Sequence, residues 1–374
     1  MDRLRLVSLD TSQIVRLTKD AASSVRDRRR ASQKAGRLLS TNGTTLFLTH
    51  HHVEELLLHE NENVRLERLR WLGTLDFVAT LDGADGVPGS IVTALGHEAR
   101  VATTSPLAGP VRLRDEVRKT AIILLPGEVI RGRLEPIQMD LHRAFMESAA
   151  RTREHVAIVE GKLPKVDECS LRELSSRPFR DRSEATRLLH AMEAVLTKDI
   201  IERGDKRIPN PSGTSRWFFD RVGKEGVRLH DQLGGMFAHL KSLGITVDED
   251  NMNRSLNDLL RKHEFRSKIL VGCRALGMAR SDVGSTFDME RIPTWLVEDA
   301  IVRHGQKRAR HPGSDINDRN LVCVGMYSDT CFVDRRTFED VRRAREKAPI
   351  VDDLLPDVRR TGGDFYQAFE RLAA

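Results

Sequence analysis

Residues 314–338, "SDINDRNLVCVGMYSDTCFVDRRTF", set Asp315, Asp318 and Asp334 around a helix-like run and a short apolar strand, with Asp329 between them. Most acidic side chains lie on solvated faces. Asp334 instead ends the apolar run "TCFV" (330–333), where a surface acid is less expected. In a parallel α/β sheet, functional groups gather outside the carboxyl ends of the strands, where adjacent crossovers diverge.

Two more segments read the same way. "LRLVSL" (4–9) is a strand candidate, Asp10 follows it, and residues 11–39 read as helix with a basic middle. "TTLFLT" (44–49) is a second strand. Residues 50–72 then read as one helix, with Val53, Leu56, Leu57, Leu66 and Leu69 on its apolar face. Strand–helix–strand–helix order predicts an α/β unit with a parallel sheet. The Gly-, Asp- and Pro-rich stretch 80–96 reads as turns and a boundary, and "AIILLPGEVIRG" (121–132) as a further strand and turn. From about 135 to 290 the spacing is mainly helical. The α/β pattern returns with the helix "IPTWLVEDAIVRHG" (292–305), a basic loop (306–315) and the quoted stretch.

Composition sets the bounds. The chain has 374 residues, 39% hydrophobic and 31% charged, enough for a sizeable core and for two domains or one domain with a large insertion. A net charge of +6 tilts towards a polyanionic partner. Aromatics are only 5%, which argues against extensive base-stacking surfaces. None of the four cysteines forms a C-x-x-C pair, so a reducing cytoplasm fits better than a disulfide framework or zinc ribbon. A signal peptide and a membrane span are not expected. There is no P-loop, strand-linked G-x-G-x-x-G or G-x-S-x-G. His50, His51 and His52 are consecutive, so on a helix they splay by roughly 100° per step and cannot share one metal; a structural or surface role is expected for them.

The acids fit one pocket. Asp10 and Asp334 converge if their strands are neighbours. Asp315 and Asp318 are i and i+3, on one face near a helix start. Glu55 lies early in the helix after the second strand, with Glu54 competing for its role. Crowded carboxylates raise one another's pKa, and a divalent cation relieves that. Oxygen-only ligation suits Mg²⁺ or Mn²⁺ and phosphodiester hydrolysis by an activated water. The basic runs 26–34 and 303–311 would hold phosphates, with Arg28, Arg29, Arg30, Lys34, Lys307, Arg308, Arg310, Arg335 and Arg336 as candidates. Each acid also has a plainer reading: Asp10, Asp315 and Asp334 as helix N-caps, Asp318 as a first-turn acid, Glu55 as helix surface, and the arginine runs as solvated faces.

"LVSLDTSQI" (6–14), "TTLFLTHHHVEEL" (44–56) and the stretch 314–338 together resemble the PIN-like nuclease superfamily. The resemblance covers about residues 1–60 and 292–348. It implies a three-layer α/β domain with a central parallel sheet, interrupted by a mainly helical insertion: residues 1–75 and 291–350 as the PIN-like parts, 76–290 as the insertion and 351–374 as a helical tail. It implies Asp10, Glu55, Asp318 and Asp334 as catalytic and metal-site residues, Asp315 as an accessory metal acid, and Asp329 as a structural one. The expected activity is a metal-dependent endoribonuclease acting on RNA, with DNA not excluded and a protein partner or homo-oligomer possible. The sequence departs from the pattern at Val333, where many members carry Thr or Ser. Two other classes stand beside it: an inactive PIN-like scaffold that binds nucleic acid or protein, and an Asp-nucleophile phosphatase, which needs an acid where Ser12 stands.

Overall fold

The computed structural model describes residues 4–39, 43–83, 86–159, 170–175, 182–230, 248–279, 288–306, 308, 313–361 and 366. The chain divides into two compact units. One comprises Met1–Glu147, Lys268–Lys307 and Ile316–Ala374; the other comprises Ser148–Ser267 and Arg308–Asp315.

The first unit is built on a six-stranded sheet of β1 (Arg5–Ser8), β2 (Thr44–Leu48), β3 (Val78–Leu81), β4 (Ile122–Leu125), β5 (Thr330–Val333) and β6 (Asp357–Arg360), in the order β4-β3-β2-β1-β5-β6. All neighbours are parallel except β3 and β4. β2, β3 and β5 are buried along their whole length, so they read as apolar runs and not as alternating ones. Their side chains still divide by the two-residue period. Leu6, Phe47, Ala79, Leu81, Cys331 and Val333 enter one core, and Val7, Leu9, Leu46, Leu48, Val78 and Phe332 the other.

Helices α1 (Thr11–Ala21), α2 (Arg26–Leu38), α3 (His50–Leu57) and α4 (Glu62–Gly73) supply residues to the second core. Helices α5 (Ile91–Thr104) and α6 (Pro110–Ala121), with Pro293–His304, Ser314–Gly325 and Arg335–Lys347, supply the first. Each long helix expected near the N-terminus is two. Residues 22–25 separate α1 from α2, and α4 restarts at Asn61, whose side chain caps it.

The fold differs from the sequence-based expectation in four places. The sheet is mixed, because β4 runs antiparallel as the edge strand. β3 and β4 lie in the segment assigned to the helical insertion, yet they belong to this sheet. "VATL" was masked by the turn-rich composition that follows it at once. After β4 the chain forms a helix at Gly127–Leu134 where a turn was expected. The tail expected as helix contributes β6. The second unit, among its described residues, is helical apart from one isolated bridge, Ser170 to Ser255. The expected helix 229–244 lies almost wholly outside the described residues. Among the described residues no helix is long and apolar enough to cross a membrane.

One buried acid supports the α5 side. Glu98 is fully buried, and its Oε1 accepts from the Thr294 amide (2.9 Å), the Thr294 hydroxyl (2.7 Å) and the Tyr327 hydroxyl (2.5 Å). Burial raises its carboxyl to about 7, against those hydrogen bonds. A raised acid contributes stability below its unfolded pKa, and loses it as pH rises through the folded one. Glu98→Gln therefore raises the melting temperature most at pH 8 and least near pH 4.5, measured by thermal denaturation across that range.

Candidate functional site

The sheet order fixes where side chains can gather. From β1 the chain moves outward through β2 to β3, then returns to lay β5 on the other side of β1. The crossovers diverge between β1 and β5, and the crevice at their carboxyl ends is the switch point of the sheet. β1 and β5 pair in parallel, Val7 with Thr330 and Ser8 with Cys331. Asp10 and Asp334 each follow one of these strands by a residue or two. They are therefore neighbours, although more than 300 residues separate them in the chain.

Asp10 is buried and caps α1. Its Oδ1 accepts the Ser12 amide at 2.8 Å and the Ser12 hydroxyl. The Asp334 backbone lies beside this carboxylate and eases its charge slightly. Burial raises the Asp10 carboxyl, the Asp334 charge adds to that, and the hydrogen bonds only partly offset it. Glu55 sits on α3, half-buried. Its carboxyl is raised to about 7, by burial first and then by the charges of Asp10 and Glu54, with the neighbouring Thr11 and Asn317 side chains acting in the opposite direction. Three distant segments thus meet around Asp10 and Glu55: the start of α1, the middle of α3, and the first turns of Ser314–Gly325.

His52 holds this arrangement. It is fully buried, and its Nδ1 accepts the Thr49 amide at 2.9 Å, which closes a capping box on α3. With Nδ1 an acceptor, the proton is on Nε2, which donates to the Leu9 carbonyl at 2.6 Å. Burial lowers this imidazole to about 4, so the ring is neutral and pins the residue before Asp10. Of the other two histidines, His50 packs edge-on against Phe145, and His51 lies 3.8 Å from Glu54. That contact turns Glu54 to His51. Glu55 is the one that lies near Asp10, Thr11 and Asn317.

Asp334, like Asp10, takes the cap position that the sequence also allowed. It caps Arg335–Lys347, with Oδ1 accepting the Thr337 amide at 2.7 Å and Oδ2 3.4 Å from Arg336 Nε. Burial pushes its carboxyl up, but the Thr337 hydrogen bonds and the Arg336 charge outweigh that, and the net shift is down. Its charge is stabilised by the fold, not strained by like charges. Asp318 is half-buried, next in sequence to the Asn317 that contacts Glu55. Asp315 forms an ion pair with Arg308 in the second unit, which neutralises both: the accessory acid and one expected phosphate contact hold each other. Asp329 is structural. Its Oδ2 accepts the Leu6 amide (2.7 Å) and Arg118 (2.5 Å). Among the described residues no three His, Cys, Asp or Glu side chains are grouped closely enough to hold a metal ion.

Of the expected phosphate contacts, Arg28, Arg29, Arg30 and Lys34 are exposed on α2, and Arg335 and Arg336 on the helix after β5. Lys307 and Arg310 lie outside the described residues. Thr11 and Asn317 were not singled out in the sequence, and Ser12 only as a missing acid, although "DTS" (10–12) and "NDRN" (317–320) set them beside expected acids.

The shifts give a contrast of sign. A raised acid costs stability once ionised, so metal-free Asp10→Asn melts higher at pH 7, by about 2–4 °C if roughly 1 kcal/mol is relieved. A lowered acid contributes stability above its unfolded pKa and loses it as pH falls, so Asp334→Asn melts lower at pH 7. The two differences shrink towards pH 3 in metal-free thermal denaturation.

Comparison of the chain with protein-family models, with curated proteins and with solved structures finds no match.

Proposed function

We propose that this protein is a metal-dependent PIN-like endoribonuclease that hydrolyses RNA phosphodiester bonds at the Asp10–Glu55 site. The observation that carries the reading is the meeting of these two desolvated carboxylates at the switch point of the sheet. Their ionised forms are penalised by burial and by neighbouring acids, Asp334 for Asp10 and Asp10 and Glu54 for Glu55. A hard cation removes that penalty, and the neighbouring Ser12, Thr11 and Asn317 side chains offer oxygen or amide groups. Magnesium is commonly held by one or two carboxylates, with waters and substrate phosphates completing the octahedron. Two carboxylates therefore fit it, and a closed cluster of three is not required.

Asp10 and Glu55 would hold the ion. When bound, it supplies an acidified water and neutralises charge on the phosphate under attack. The chain's own residues orient the site. Ser12 fixes the Asp10 carboxylate, Thr11 and Asn317 lie beside Glu55, and His52 holds the backbone entering Asp10. Asp334, kept ionised by its cap contacts, adds negative charge beside Asp10. The exposed cations of α2 offer contacts to the RNA backbone.

The test is cleavage of a mixed RNA pool by purified protein with Mn²⁺ or Mg²⁺. Wild type cuts internally and EDTA stops it. Asp10→Asn and Glu55→Gln each lower kcat/KM by about 100-fold or more, roughly 3 kcal/mol of transition-state stabilisation. Retained cleavage in both variants overturns the assignment. RNA binding without any metal-dependent cleavage supports the scaffold reading instead.

A further inference from the structure

The solvent-facing residues of α1 form one line. Between Thr11 and Asp20, Ser12, Arg16 and Lys19 are exposed, and the other residues are buried or half-buried. Positions i, i+4 and i+7 lie on one helical stripe. The stripe begins at the acid site, because Ser12 hydrogen-bonds the Asp10 carboxylate. It ends in a cavity of about 680 Å³ lined by Arg16, Lys19 and Asp20 of α1, by Asp27 and Arg28 of α2, and by Tyr366.

The acids of that cavity are not equivalent. Asp20 is buried; its carboxylate accepts the Tyr366 hydroxyl at 2.7 Å and lies 3.8 Å from Arg16. The Arg16 guanidinium stands over the Tyr366 ring, 5.2 Å from its centre. Asp20, Arg16 and Tyr366 thus form a wall. Lys19 and Arg28 are exposed cations facing the opening, with Asp27 beside them.

We propose that α1 is the track of a single-stranded RNA, with one backbone phosphate seated between Lys19 and Arg28 while another lies at the acids. The identity of the strand rests on the nuclease reading above. From Ser12 to Lys19 is seven residues, about 10 Å at 1.5 Å each. That spans about three stacked nucleotides at 3.4 Å per nucleotide. A single strand can bend a phosphate into a concave pocket while its neighbours follow the helix. With one aromatic ring at the pocket, already held by Asp20 and Arg16, the grip is on phosphates, so recognition tolerates any base sequence.

The test is binding by the full chain in EDTA, read as fluorescence anisotropy of labelled single-stranded oligoribonucleotides over a range of salt. For single strands the slope of log K against log salt changes by about 0.7 per phosphate contact, about fivefold in affinity at 0.1 M salt. Lys19→Gln and Arg28→Gln each weaken binding about fivefold and flatten the slope by about 0.7. Asp27→Asn, which removes the competing charge, tightens binding. Lys119→Gln, an exposed cation on α6 across the sheet, changes neither. Circular dichroism checks that each variant is folded. Unchanged binding in Lys19→Gln and Arg28→Gln overturns the track, as does equal weakening by Lys119→Gln or equal dependence for duplex RNA. Because no metal is present, the two proposals fail separately. Cleavage without these binding effects rejects the track alone, and these binding effects without cleavage reject the nuclease reading alone.

Discussion

The pairing of β1 with β5 is the constraint on which the site depends. Four-residue strands from opposite ends of the chain gain little from pairing alone. The register is secured from both sides. At the amino end, the Asp329 amide donates to the Leu6 carbonyl at 2.8 Å while its carboxylate accepts the Leu6 amide and Arg118. At the carboxyl end, the His52 ring fixes the Leu9 carbonyl just before Asp10, and Asp334 lies beside that acid. A slip of one residue would reverse the faces of Phe332 and Val333, which enter different cores, and would separate the two caps. The cores and the acid site are thus specified by the same register.

Electrostatics then divides the acids into two kinds. Asp329, Asp334 and Asp315 are matched by donors or cations and serve as clips, caps or ion-pair partners. Asp10 and Glu55 are held where burial and repulsion oppose their charge. Strongly perturbed groups in a crevice mark a functional-site candidate, because a fold seldom keeps such penalties without a ligand that relieves them. Glu98 shows that perturbation alone is not enough. It is equally shifted, but it is enclosed by Thr294 and Tyr327.

Much of this was legible in the chain. β1, β2 and β5 are apolar runs, and the acids after β1 and β5 stand out because polar residues seldom end buried strands. β3 and β4 were hidden for different reasons. β3 is four residues long and runs straight into Asp82–Gly83, so turn chemistry dominates the window. β4 is antiparallel, which no βαβ pattern foretells. The division of labour among acids was also hidden. Nothing in "VDRRTF" says that the Thr337 amide will bind Asp334 while burial strains Asp10, since both acids follow a strand and precede a helix. Arg308 and Asp315 read as a phosphate contact and a metal acid, but at seven residues apart they neutralise each other.

The most direct measurement is a crystal structure of the protein soaked in Mn²⁺, with anomalous scattering collected to locate the ion. The account predicts an anomalous peak bonded to carboxylate oxygens of Asp10 and Glu55 at roughly 2 Å, with waters completing its shell and Asp334 still capping its helix. Saturating Mn²⁺ that leaves both carboxylates without an ion would contradict it, as would a peak held by other residues.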